Sequence, residues 1–211
     1  MYGLLMRRFR SVFVSQEFMN RSAELLREGL IRPGTTEEHI RYGFRLPLLN
    51  GSIISFGSIE ASPSHVGRLS NSVDFYCHEG SPVLAVADGI VGKVRYDKNV
   101  HGNSIEYWDG GNFIELLHPQ IRHTYNGAEY EVHTWYEHLK FDGSIVVPGQ
   151  KVYKGQVIGH SGNTGFSENP HLHFQAHIML GDEETDIMTL RAEFTRFQPV
   201  YEHYGLMSLL R

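Results

Sequence analysis

The chain has 211 residues, 41% of them apolar, with 24 acidic against 19 basic side chains and a net charge of -5. That suffices for one main domain with a proper core, and the acidic balance removes any general attraction to nucleic acid or to an anionic membrane surface. The single cysteine, Cys77, excludes an internal disulfide framework.

In chain order, no apolar run approaches the roughly 18 residues of a membrane span, and Arg7, Arg8 and Arg10 interrupt the apolar stretch at the amino terminus. Neither a span nor a signal peptide is expected. Residues 15 to 30 read as a helix: Ser15 caps it, and Met19, Ala23, Leu26 and Leu30 recur on one face. After Pro33-Gly34, Thr35 and Glu38 form a capping box that opens a short second helix. Residues 1–46 are therefore expected to be a helical accessory segment. From about residue 47 to 180 short apolar runs punctuated by glycine predict a β domain. Expected hairpins join 82–87 to 90–96 through Asp88-Gly89, and 104–108 to 112–118 through Asp109-Gly110-Gly111. Further strands are predicted at 130–138, 156–159 and 171–179, while 160–170 carries turn chemistry only. Residues 181–211 form a tail with an edge strand expected within 191–197.

The 13 histidines are many for this length, and imidazole is both the commonest metal ligand and an acid or base near neutral pH. In His171-Leu172-His173-Phe174 strand alternation sends both histidines to one side, with Leu172, Phe174, Ala176 and Ile178 anchoring the other face in the core. Gln175 and His177 continue the histidine face outward. Upstream, Asp74 interrupts a strand-like run nine positions after His65. Taken alone, Asp74 is an ordinary solvated carboxylate at a strand edge. His138 ends a predicted strand on which Thr134, Tyr136 and His138 share a face, and by itself it reads better as a partly buried hydrogen-bonding spacer than as a site residue.

The run of motifs resembles the lysostaphin-like, or LytM-type, zinc endopeptidases, a family of peptidoglycan hydrolases. The matching landmarks are His65 to Asp74-Phe75, Glu79-Gly80-Ser81-Pro82-Val83 with Ala87-Asp88-Gly89-Ile90-Val91, and Gly111-Asn112-Phe113-Ile114-Glu115-Leu116. They continue through Tyr136-Glu137-His138-Leu139, Gly149-Gln150-Lys151-Val152 with Gly155-Gln156-Val157-Ile158-Gly159, Ser161-Gly162-Asn163-Thr164-Gly165 and Pro170-His171-Leu172-His173-Phe174. The resemblance implies a mainly β fold, an open antiparallel β-barrel or sandwich of the duplicated hybrid motif type, here with a short helical extension at the amino terminus. It implies one zinc ion held by His65, Asp74 and His173, and catalytic roles for His138 and His171. The loop from His65 to Asp74 is longer than the commonest form of the family, and Asn169 stands where glycine is frequent. The stretch 119–134, with its Asn126-Gly127 turn, is also long, and is expected to border the groove and limit which substrates enter.

Two imidazoles and a carboxylate leave a tetrahedral zinc one open position, the hallmark of a catalytic site. In this reading His171 can exchange the water proton with the leaving amine and His138 can donate to the developing oxyanion, and the sequence does not fix which of the two performs which step. The substrate class implied by resemblance is the peptide part of bacterial peptidoglycan, in a periplasmic or extracellular setting. A catalytically degenerate cell-wall-binding or hydrolase-activating domain of the same fold is the alternative. A phosphocarrier module would not need Asp74, and a lipoyl-like domain would not need the histidines. His118 and His160 are candidates to line the groove without binding metal.

Overall fold

The computed structural model describes residues 43–49, 52–57, 69, 71–182, 186–192 and 194–195. The two amino-terminal helices, His65 and the tail beyond Thr195 lie outside them. No α-helix occurs among the described residues. In chain order the strands are β1 (Phe44–Arg45), β2 (Ile53–Gly57), β3 (Val73–Cys77), β4 (Pro82–Leu84), β5 (Gly89–Arg95) and β6 (His101–Gly102). After a 3-10 helix (Ile105–Gly110) come β7 (Asn112–Tyr125), β8 (Ala128–Ser144), β9 (Lys151–Val152), β10 (Val157–Ser161), β11 (Gly165–Phe166), β12 (His171–Met179), β13 (Ile187–Leu190) and β14 (Phe194–Thr195).

The main sheet runs β2-β3-β12-β8-β7-β5-β9, all antiparallel, with β13 on β12 and β10 joining β4 to β8. The fold is mainly β, as expected, and does not close into a barrel. Alternation explains how β12 is held. Leu172, Phe174, Ala176 and Ile178 are each 0% exposed on the core face, while His171, His173, Gln175 and His177 take the other. Phe174 meets Phe75, Tyr136 and Phe194 edge-on at centroid distances of 6.4, 5.3 and 5.4 Å. Burial of a side chain this size contributes about 2–3 kcal/mol, so the strand carrying the histidines is firmly seated. The core also takes Phe44 and Leu46 from before the main strands and Leu190, Ala192 and Phe194 from after them.

Neither short hairpin forms. β4 pairs with β10 instead of β5, because the backbone at Ala85 and Val86 is used elsewhere: Ala85 N–H donates to Gln156 O, Gly155 N–H donates to Ala85 O, and Val86 N–H donates to the Tyr136 hydroxyl. Residues 104–108 are not a strand, since the 3-10 helix occupies them. Its exit is pinned, with Arg95 Nε donating to Gly111 O at 2.6 Å and Asn112 N–H to Thr164 Oγ1 at 2.9 Å. The hairpin that does form is β7 with β8, turning at Asn126 (φ 49°) and Gly127 (φ 80°). Two consecutive positive-φ residues are what an Asn-Gly hairpin turn requires. The expected long loop 119–134 is thus a continuous two-stranded ribbon. At the carboxyl end, the edge strand beside β12 is β13, Ile187–Leu190, before the stretch predicted for it, while Phe194–Thr195 pairs with β1.

Candidate active site

On the sheet face opposite the core, register brings the predicted residues together. His173 lies directly across from Asp74 on β3 and from Glu137 on β8. His173 Nδ1 is 3.0 Å from Asp74 Oδ1, and His171 Nε2 is 3.7 Å from the same oxygen. The His138 ring sits 4.5 Å from that of His171 and 5.9 Å from that of His173, centroid to centroid. All four side chains are buried. Asp74 is therefore no solvated edge carboxylate. His65, the remaining predicted ligand, lies outside the described residues.

The route by which His138 arrives differs from the one alternation suggests. Thr134 and Tyr136 point into the core at 0% exposure, so a regular strand would send His138 there too. Instead β8 carries a bulge: Asn112 pairs with Leu139 and Phe113 with Glu137, leaving His138 as the extra residue, in the left-handed region at φ 61°. A bulge re-aims a side chain, and here it turns His138 to the groove face occupied by Glu137 and Trp135. Nor does His138 end the strand, which continues to Ser144.

Two loops support the bulge. Asn112 Nδ2 donates to the carbonyls of Lys98, Leu139 and Lys140, and Thr164 Oγ1 accepts from Asn112 N–H while donating to Leu139 O at 2.7 Å. Thr164 O accepts from His138 Nδ1 at 2.7 Å. This contact demands close approach of 164–165 to 111: a Cβ on Gly165, which has φ +85°, would lie 2.5 Å from Gly111 N. His171 is held likewise, its Nδ1 donating to Asn169 O at 2.8 Å with Ser167 Oγ 3.2 Å away. Carbonyls can only accept, so both catalytic candidates are fixed in the tautomer that leaves Nε2 to face the site.

Electrostatics follow from this packing. Burial, reinforced by His171 and His173, pushes the His138 pKa down to about 3, so its ring is neutral. Burial also presses on His173, but the hydrogen bond and charge of Asp74 outweigh it and hold that ring above the usual histidine range. A neutral His138 whose Nδ1 proton is committed to Thr164 has an acceptor at Nε2.

Pattern reading missed Glu137, whose carboxyl is raised by burial beside His173, and Tyr76, whose ring is 5.6 Å from that of His171 and whose hydroxyl pKa is raised by burial and by Asp74. Strand parity puts Tyr76 on the side of Asp74, the signal by which it was findable. His118 does not line the groove. It is 0% exposed on the core side, with Nδ1 donating to Asp88 O and Nε2 bonded to the Thr134 hydroxyl, each at 2.8 Å. His177 does not join Asp74 and His173 either; it groups with Glu115 and His133, three donors whose ligand atoms lie within 4.8 Å of one another. Around both sets the groove is walled by Trp108, Phe113, Trp135 and Phe166, with Lys93 and Arg95 on one side. None of its lining residues comes from 119–134.

Residues 68–186, more than half of the chain, match the model of Peptidase family M23. The chain belongs to this family. The M23 segment holds Asp74, His138, His171 and His173 and begins after His65. An uncharacterized metalloprotease of Haemophilus influenzae is 40% identical over 111 residues, 53% of this chain and 19% of that protein. The glycyl-glycine endopeptidase ALE-1 of Staphylococcus capitis is 36% identical over 104 residues, 49% of this chain and 23% of that protein. The chain thus spans about a fifth of the length of these curated M23 relatives. Among solved structures, a zinc-containing peptidase from Vibrio cholerae aligns over 74% of this chain and 41% of its own, with 26% identity and a TM-score of 0.48.

Proposed function

We propose that this M23 chain is a zinc-dependent endopeptidase that hydrolyses peptide bonds of bacterial cell-wall peptidoglycan. The observation that carries the reading is the convergence of Asp74, His173, His171 and His138 on one another, with two imidazole nitrogens within 3.0 and 3.7 Å of a single carboxylate oxygen. One carboxylate with imidazole is a donor set that zinc accepts, and a 3.0 Å separation between two donors suits ligands on one ion. His65, Asp74 and His173 would hold it. When bound, zinc acidifies water and polarises the scissile carbonyl. The resemblance of the motifs to peptidoglycan hydrolases supports the substrate class, as does a relative named for cleaving glycyl-glycine bonds.

The chain's own residues supply the proton handling. His171, whose Nδ1 is committed to Asn169 O, presents Nε2 to the site and is the proton carrier: it accepts at Nε2 and gives the proton to the leaving amine. His138, its pKa pushed down to about 3 by burial, accepts a hydrogen bond at Nε2 and orients the donor in front of it. The aromatic walls lie against the peptide, and Arg95, fixed over the Phe113 ring at 4.8 Å, stands where a substrate carbonyl or carboxylate passes.

The test couples zinc analysis to mass spectrometry of fragments released from purified peptidoglycan. His171→Ala and His138→Ala are expected to keep zinc and release no fragments, whereas Asp74→Ala and His173→Ala lose zinc. Full activity in both of the first two variants overturns the assignment. Neither zinc nor fragments from the unaltered protein leaves the binding-domain alternative.

A further inference from the structure

We infer that Glu115, His133 and His177 form a second divalent-metal site, for an ion of the zinc class, in the floor of the same groove but separate from the Asp74–His173 centre. Three adjacent strands supply the donors. His177 on β12 lies directly opposite His133 on β8, and Glu115 on β7 sits diagonally beside His133, its own partner being Trp135. His133 Nδ1 is 2.9 Å from Glu115 Oε1, and His177 Nε2 is 3.9 Å from that same oxygen. A tetrahedral ion with bonds of about 2.0–2.1 Å has donor-to-donor edges of roughly 3.3 Å. The two distances bracket that edge, so small side-chain rotations bring the three donors onto one ion.

The rings do not stack: their centroids are 5.5 Å apart in a T-shaped arrangement, which lets both nitrogens converge on one point. Glu115 and His177 are buried at 6% and 2% exposure, so two of the three donors are held by the sheet.

Four residues along one strand separate His177 from His173, about 13 Å. Paired catalytic ions stand about 3.5–4 Å apart. The second ion therefore shares no ligand with the first and takes no part in bond cleavage. Its open position faces the groove, since Glu115, Gln175 and His177 all line it, and would take a carboxylate or carbonyl of a bound peptide.

Metal counting tests this without reference to activity. The full chain is stripped with chelator, reloaded with zinc, dialysed and analysed by mass spectrometry, with circular dichroism confirming the fold. The unaltered chain is expected to hold two ions and the variants Glu115→Gln and His133→Ala one each; His133 is the most exposed donor, so its removal least endangers folding. Asp74→Ala is also expected to hold one, and the double variant Asp74→Ala, His133→Ala none. An unaltered chain with one ion, lost on Asp74→Ala and kept by Glu115→Gln and His133→Ala, overturns the inference and leaves the proposed function standing. One ion lost on His133→Ala but kept by Asp74→Ala supports the inference and overturns the proposed zinc ligands.

Discussion

Tyr136 precedes Glu137-His138 and, read as part of a motif, invites a catalytic role. The structure places its ring in the core at 0% exposure, where the hydroxyl accepts from Val86 N–H at 3.0 Å and bonds to Thr134 at 3.3 Å. Burial raises its pKa, so it stays protonated. Tyr136→Phe keeps the ring and its packing on Phe174 but leaves the Val86 N–H without an acceptor in a dry interior. Stranding one buried donor costs about 1–3 kcal/mol. For a chain of this size that lowers the Tm by roughly 2–4 °C per kcal/mol. Denaturant unfolding and a thermal scan measure the loss, and kcat/KM on a peptidoglycan-derived peptide well below the transition measures function. Lower stability with kcat/KM within about twofold of the unaltered protein is expected. A large fall in kcat/KM at unchanged stability would refute the structural role and put the hydroxyl in the mechanism.

Acid should weaken the fold through His118, whose burial depresses its pKa from 6.5 to about 4. Because the unfolded state binds the proton first, this stability is fully present above pH 6.5 and lost as pH falls toward 4, by about 3 kcal/mol. An NMR titration that placed the His118 inflection near 6.5 would contradict this. Thr164→Val removes the hydroxyl joining Asn112 N–H to Leu139 O, so the His138 bulge should lose its support. We expect kcat to fall roughly ten- to a hundredfold with zinc content unchanged, checked by parallel kinetics and metal analysis. Gly165→Ala should cost more than about 1 kcal/mol, since it meets both a positive φ and the backbone at Gly111; equal melting temperatures would show that the two loops can separate.

Alternation on β12 was legible without coordinates, because a period of two forces His171 and His173 to one side whenever the intervening residues are apolar. The β class and the Asn126-Gly127 turn were legible for the same local reason. What only tertiary structure decided lies across strands or in breaks of the period. No local pattern reveals that His173 pairs with Asp74, 99 residues away, since register is set by which apolar faces must meet. Nor does a short apolar run reveal whether its backbone bonds to the next strand or to a distant one, which is why two predicted hairpins gave way to other pairings. Strand parity alone would have turned His138 to the core face; a single left-handed residue, held by Asn112 and Thr164, turns it to the groove face instead. Glu115, His133 and His177 come together for the same reason as Asp74, His171 and His173, through strand adjacency, here of β7, β8 and β12, which exists only once the sheet has formed.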